Sequence, residues 1–235
     1  YHVHIYHAQG KYDKVIEEGV PMYESASSRY KGELAHLIGD SYYQLRNYEE
    51  ALPYLELYSR TARRSMTRED NYELAYTYYE LNQYRNATSF LQQVAGEDDA
   101  LSQNAYYLLG YCYLQEDQKQ FASNAFASAS DMDFDKNIQE DALFNFIKLS
   151  MEISKDPYNT AIKNLEAYIQ DYPDSPKKNE AYQYLANLYL STRNYKNALE
   201  SIENIQFRND VLNEADQKIL FYRGVELFNQ RSFQK

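Results

Sequence analysis

A short pattern returns along this chain at a nearly constant interval, and that recurrence restricts the fold more than any other feature. One column holds Val15, Ala51, Ala87, Ala122, Ala161 and Ala198, at intervals of 36, 36, 35, 39 and 37 residues. Three residues before it stand Tyr12, Tyr48, Tyr84, Lys119, Tyr158 and Tyr195, and four after it stand Gly19, Leu55, Leu91, Phe126, Leu165 and Ile202. Nine before it come Tyr6, Tyr42, Tyr78, Tyr113 and Tyr189; twelve before it come Val3, Gly39, Ala75, Gly110 and Ala186. In an array with such columns, each unit buries its apolar side against its neighbours.

The spacing inside one unit is helical. Tyr106, Leu109, Gly110 and Tyr113 fall at i, i+3, i+4 and i+7, as do Tyr182, Leu185, Ala186 and Tyr189, and Ala35, Ile38, Gly39 and Tyr42. A second amphipathic run follows in each unit, with Ala122 and Phe126, or Ala161, Leu165 and Tyr168. Each unit therefore reads as helix, short turn, helix. Gly39 and Ala51 are small enough to let the two backbones approach, and Tyr42 and Leu55 fill the space around the crossing. Asn47 with Glu50 has capping-box character. Asp156-Pro157 and Ser175-Pro176 each put a side-chain acceptor at an N-cap and proline at the first helical position. Pro53 lies near enough to a helix start to be tolerated, whereas Pro21 is expected to bend or end its helix.

With these residues in place, the chain resembles the tetratricopeptide-repeat (TPR) family. The pattern Trp-x2-Leu-Gly-x2-Tyr, then Ala-x3-Phe, then Pro is met as Tyr106-x2-Leu109-Gly110-x2-Tyr113 with Ala122-x3-Phe126, and Pro173 follows Ala161. No copy has Trp, the periods exceed the family's 34, and the copy around Ala161 needs two extra residues in the turn Ser154 to Tyr158. The resemblance implies an all-α fold: a right-handed α-superhelix, a TPR solenoid of about six antiparallel helix pairs, covering residues 1–235. Both ends are expected to be incomplete repeats cut from a longer array. Tyr1 falls inside a helix, while Leu220, Gly224 and Leu227 open a further unit with Phe233 in its tyrosine column. Residues 161–198, with Tyr168 to Pro176 among them, also resemble TPR proteins of Gram-negative cell envelopes, which implies an exported protein of the periplasm or outer membrane rather than the cytoplasm.

In the resembled family, the first-helix stripe opposite the packing columns lines a concave groove for peptides. On this chain the stripe holds His36, Asp40 and Tyr43, then Tyr72, Tyr76 and Tyr79, then Tyr107 and Tyr111, then Phe144 and Lys148. Tyrosine supplies contact area at little entropic cost, and carboxylates pair with cations, so the expected occupant is a protein or peptide with basic or aromatic side chains. Tyrosine also fills packing columns, so the same band serves equally as plain packing. Some TPR domains clamp a terminal carboxylate through Lys, Asn and Arg on this stripe; His36, Asp40, Tyr72 and Tyr76 stand there instead. The alternative function is a structural spacer or self-assembly segment of a large cell-envelope multi-repeat protein, associating through uncapped ends.

Other classes of chemistry find little support. A net charge of −11 disfavours nucleic acid, and no apolar run approaches the ~18 residues of a membrane span. No nucleophile sits beside a base and no glycine-rich phosphate loop occurs, so neither an enzyme nor a cofactor is expected. Cys112 falls among packing columns, where a buried thiol is inert. His2, His4 and His7 read as exposed imidazoles rather than metal ligands. Asp131 to Asp135 begins like a calcium loop but lacks its Gly and closing Glu, so it reads as an inter-helix loop. Arg60, Arg63, Arg64 and Arg68 read as a helix end and loop.

Overall fold

Each helical stripe finds its partner in the adjacent run, so the chain folds as a succession of helix hairpins. The structure is a computed structural model that describes residues 2–62, 66–153, 157–204 and 210–229. Those residues form α1 (His2–Ala8) and α2 (Tyr12–Ser25), α3 (Ser28–Gln44) and α4 (Tyr48–Ala62), α5 (Arg68–Glu80) and α6 (Tyr84–Val94), and α7 (Ala100–Gln115) and α8 (Lys119–Ser130). There follow α9 (Lys136–Ile153) and α10 (Pro157–Asp171), α11 (Lys178–Ser191) and α12 (Tyr195–Glu203), and α13 (Asp210–Asn229). Among the described residues there is no strand. Tyr1, Arg63, Arg64, Phe233 and the Ser154–Asp156 part of the enlarged turn lie outside the described residues.

The chain divides into two compact units, residues 1–142 and 143–235. In the first, the anchor column forms the core: Val15, Ala51, Ala87 and Ala122 are fully buried, with Leu55, Leu74, Leu91 and Phe126 around them. Burying each of these larger side chains contributes about 1.5–3 kcal/mol. The small column permits the close crossing. A methyl at Gly39 would stand 2.8 Å from Leu55 Cδ2 and 3.1 Å from the Leu55 backbone nitrogen; one at Gly110 would stand 2.6 Å from the Phe126 ring. The second unit uses the same columns, Leu165, Tyr168, Ala186, Tyr189, Ala198 and Ile202, with Ile147 and Ile219.

A column absent from the sequence pattern governs the turn inside five of the described hairpins. Five residues before the anchor, Gly10, Arg46, Asn82, Asp117 and Arg193 all adopt positive φ, between 56° and 67°. Each closes a Schellman motif. Asn47 N–H donates to Tyr42 C=O at 2.9 Å and Arg46 N–H to Tyr43 C=O at 2.8 Å; Gln118 donates to Tyr113 at 2.8 Å and Asn194 to Tyr189 at 2.8 Å. The tyrosine column thus supplies the carbonyl that ends the first helix.

In two successive repeats a second unforeseen column staples the repeat to the next. Nineteen residues before the anchor, Arg68 donates to Val94 C=O at 2.7 Å, Asp99 at 2.5 Å and Ser102 Oγ at 2.8 Å. Gln103, in the same column one repeat later, donates to Met132 C=O at 2.7 Å and accepts from Asp135 N–H at 2.7 Å. Both satisfy carbonyls and turns between units that would otherwise be left unpaired.

Several boundaries need correction. Pro21 does not end α2, which runs on to Ser25 with the proline on its exposed side. α10 does begin at Pro157, but α11 opens at Lys178, two residues after Pro176; Ser175 accepts Lys177 N–H at 3.0 Å in a turn ahead of the helix. A full capping box lies at Thr67 and Asp70. The Asp131–Asp135 segment is an inter-helix loop, as its missing glycine implied: Asp135 accepts the N–H of Asn137 at 2.8 Å, and Asp133 pairs with Lys136 at 3.3 Å.

Candidate functional site

In the first unit, successive first helices touch one another, α1 with α3, α3 with α5 and α5 with α7. Among the described residues, the second helices α2, α4, α6 and α8 make no such contacts with each other. Elements closer together lie on the inner side of a curved row, so the first helices form the inside of this unit. Their outward stripe carries the candidate residues.

Six tyrosines there form a linked cluster. Ring centroids of Tyr43 and Tyr76 lie 6.0 Å apart, Tyr72 and Tyr76 6.0 Å, Tyr76 and Tyr79 6.1 Å, Tyr48 and Tyr76 5.9 Å, and Tyr79 and Tyr84 6.0 Å. Tyr48 and Tyr84 belong to a packing column, so the band and the hairpin turn share one aromatic wall. All six are half-buried, each keeping a polar tip in reach of solvent. Burial is the main reason the Tyr72 phenol is pushed up to about 12, and it also raises Tyr43 and Tyr76, with neighbouring Glu73 and Glu80 adding to the effect. These hydroxyls therefore remain donors at neutral pH.

One repeat further on, Tyr107 and Tyr111 stand 5.0 Å apart edge to face and both donate to Asp141 Oδ2 at 2.8 Å. Burial, then these hydrogen bonds, drive the Tyr107 phenol upward.

His36 and Asp40 belong to a buried acid–imidazole network beside the tyrosines. Asp40 is buried and meets His7 Nε2 at 2.5 Å and Gln44 Nε2 at 2.9 Å. His36 Nε2 lies 3.0 Å from Asp70 Oδ1, and its ring stacks on Tyr58 at 4.2 Å and 13°. Burial works to raise Asp70 but is overcome by His36, the Thr67 N–H and the Tyr58 hydroxyl, which hold its carboxyl down to about 2. Glu73 is pushed the other way, to about 8, first by burial and then by Asp40 and Asp70. Neither Asp70 nor Glu73 was marked by the repeat columns; both lie 34 or more residues from His36, so only the stacking of α3 on α5 joins them. His4 reaches Glu33 at 3.3 Å, so His4 and His7 turn to different carboxylates.

In the second unit the stripe changes character. Phe144 is only 1% exposed and packs on Tyr168 at 5.0 Å, so it is a core residue and not a groove residue. It occupies the column of His36, Tyr72 and Tyr107, but without a hydroxyl or imidazole nothing holds its ring near water. Lys148 lies 5.1 Å above that ring and 3.8 Å from Glu180.

Arg60 pairs with Glu56 at 3.6 Å near the end of α4, while Arg68 is the staple described above. Cys112 is fully buried, and burial pushes its thiol up to about 12, which suits packing and not nucleophilic chemistry. No helix among the described residues is long and apolar enough to cross a membrane.

Residues 32–60, spanning most of α3 and α4, match the family model of the tetratricopeptide repeat. The chain has the fold of tetratricopeptide-repeat proteins. Its fold is similar to YrrB, a TPR protein with an unusual peptide-binding site, at 16% identity and a TM-score of 0.61, covering 88% of this chain and 97% of that one. It is similar also to the C-terminal part of a TPR repeat-containing protein from Cytophaga hutchinsonii, at 14% identity and a TM-score of 0.54, covering 91% and 98%. MamA shares the fold at 18% identity and a TM-score of 0.51, covering 80% and 96%. No curated protein sequence matches the chain.

Proposed function

We propose that the inner face of the first unit is a non-catalytic binding groove for an extended protein segment rich in basic or aromatic side chains. The observation that carries this reading is the half-exposed tyrosine cluster of Tyr43, Tyr72, Tyr76 and Tyr79, with the exposed Glu80 beside Tyr76. Tyr107 and Tyr111 extend it by one repeat. Such rings offer broad contact to aromatic groups and quadrupolar attraction to cations, and the exposed Glu80 reinforces the preference for Lys and Arg. Peptide binding by YrrB, of the same fold, supports the reading. The test is a fluorescence-anisotropy screen of the full chain against an extended-peptide library. Basic and aromatic sequences should be selected over acidic ones, and Tyr76→Ala and Tyr107→Ala should each weaken the best binder about tenfold or more while the chain stays folded. A library without a selective binder, or binding indifferent to both substitutions, contradicts it.

A second reading, a spacer or self-assembly segment of a cell-envelope protein, draws on a different observation. α13 leaves Leu220, Phe221, Val225 and Phe228 between 41% and 68% exposed. An apolar patch of this kind suits contact with another chain. Sedimentation over a hundredfold concentration range distinguishes it: self-association that disappears with Phe221→Ser and Phe228→Ser favours the spacer, and a monomer throughout favours the groove.

A further inference from the structure

The network between α3 and α5 contains an arrangement that neither packing nor the tyrosine band requires. His36 Nε2, an Asp70 carboxylate oxygen and a Glu73 carboxylate oxygen all lie within 4.8 Å of one another. His36 comes from one repeat, and Asp70 and Glu73, at i and i+3, come from one face of the first helix of the next. The His36–Asp70 separation of 3.0 Å is close to the roughly 3.4 Å that two ligands span on a tetrahedral ion with ~2.1 Å bonds.

Two further observations point to an occupant. Among the described residues, Glu73 Oε2 is the buried side-chain oxygen that has no hydrogen-bond partner. A buried acceptor without a donor costs about 1–3 kcal/mol, which a coordinated cation removes. The other ligands are already oriented from behind. Asp70 Oδ2 accepts Thr67 N–H at 2.8 Å and the Tyr58 hydroxyl at 3.1 Å, Oδ1 faces His36 Nε2 at 3.0 Å, a contact that an ion between the two would replace, and the Tyr58 ring fixes the imidazole plane by stacking at 4.2 Å. Supports of this kind are what metal sites use to hold their ligands.

We propose that His36, Asp70 and Glu73 form a binding site for a divalent first-row transition-metal ion of the zinc class. One imidazole and two carboxylates suit such an ion. The imidazole disfavours calcium and magnesium, which prefer all-oxygen sets. Three protein ligands leave a coordination position for water. The site stands apart from the peptide-binding reading, since it needs no peptide, and its failure would leave that reading intact.

The experiment titrates the full chain, stripped with a chelator, with zinc alone by calorimetry and with cobalt(II) alone by visible absorption. The expected result is saturable binding of one equivalent, with a cobalt spectrum characteristic of low coordination number. His36→Gln and Glu73→Gln should each weaken binding about tenfold or more, and Tyr58→Phe, which removes only a positioning hydroxyl, should weaken it to a smaller degree. The exposed His2→Gln, His4→Gln double variant should bind as the parent does. Far-UV circular dichroism confirms that each variant folds; should His36→Gln fail to fold, Glu73→Gln decides, because it keeps the side chain's shape. Absence of saturable binding overturns the proposal. So does binding that survives Glu73→Gln, or binding lost with His2 and His4.

Discussion

The two units put the same columns to different uses. In residues 1–142 the first-helix stripe is tyrosine, histidine and carboxylate, half-buried and hydrogen-bonded from one repeat to the next, as when Tyr107 and Tyr111 share Asp141. In residues 143–235 the corresponding positions are Phe144 and Lys148, then Gln183 and Asn187, and Tyr168 is fully buried; Tyr189 is nearly so, as is Tyr78 of the same column in the first unit. Tyrosine count alone therefore says little about recognition.

Phe144 and Tyr107, which share a column, offer the sharpest way to break that contrast. Phe144→Ala should cost about 3–5 kcal/mol, the loss of a fully enclosed ring. Tyr107→Ala, removing a half-exposed ring and one hydrogen bond, should cost about 1–2 kcal/mol. Urea denaturation followed by circular dichroism measures both; equal losses would erase the distinction between the units.

The glycines give a second contrast with opposite signs. Gly110→Ala forces the buried Phe126 ring to move and should destabilise by about 1–3 kcal/mol, whereas Gly224 in α13 has nothing within 4 Å of an added methyl. Gly224→Ala should instead stabilise by about 0.8–1 kcal/mol through helix propensity. An effect of similar size is expected in the hairpin turns. Arg46 holds a left-handed conformation at φ 61°, so Arg46→Gly should raise the melting free energy by about 1 kcal/mol, with the same direction for Asp117→Gly.

Much of the fold was legible because packing columns are sequence-local and recur: Ala51, Leu55, Gly39 and Tyr42 lie within one hairpin, so their spacing alone reveals the crossing. The turn column was not, because Arg46, Asn82, Asp117 and Arg193 share a backbone conformation but no side-chain chemistry. The staple was equally silent, since Arg68 and Gln103 do one job with different groups. At the candidate site, helical spacing identified the stripe but not its depth. Asp40 and Phe144 sit below the surface, and the His36–Asp70–Glu73 cluster exists only because α3 stacks on α5. Pro21 does not end α2 because an exposed proline late in a helix removes one hydrogen bond without breaking the packing that holds α2.

The central claim, that recognition belongs to the inner face of the first unit, is tested most directly by hydrogen–deuterium exchange. The full chain would be compared with and without a saturating basic, aromatic-rich peptide chosen from the library. The account predicts added protection in α3, α5 and α7, with α4, α6, α8 and the whole second unit unchanged. Protection concentrated in the second helices, or in residues 143–235, would contradict it.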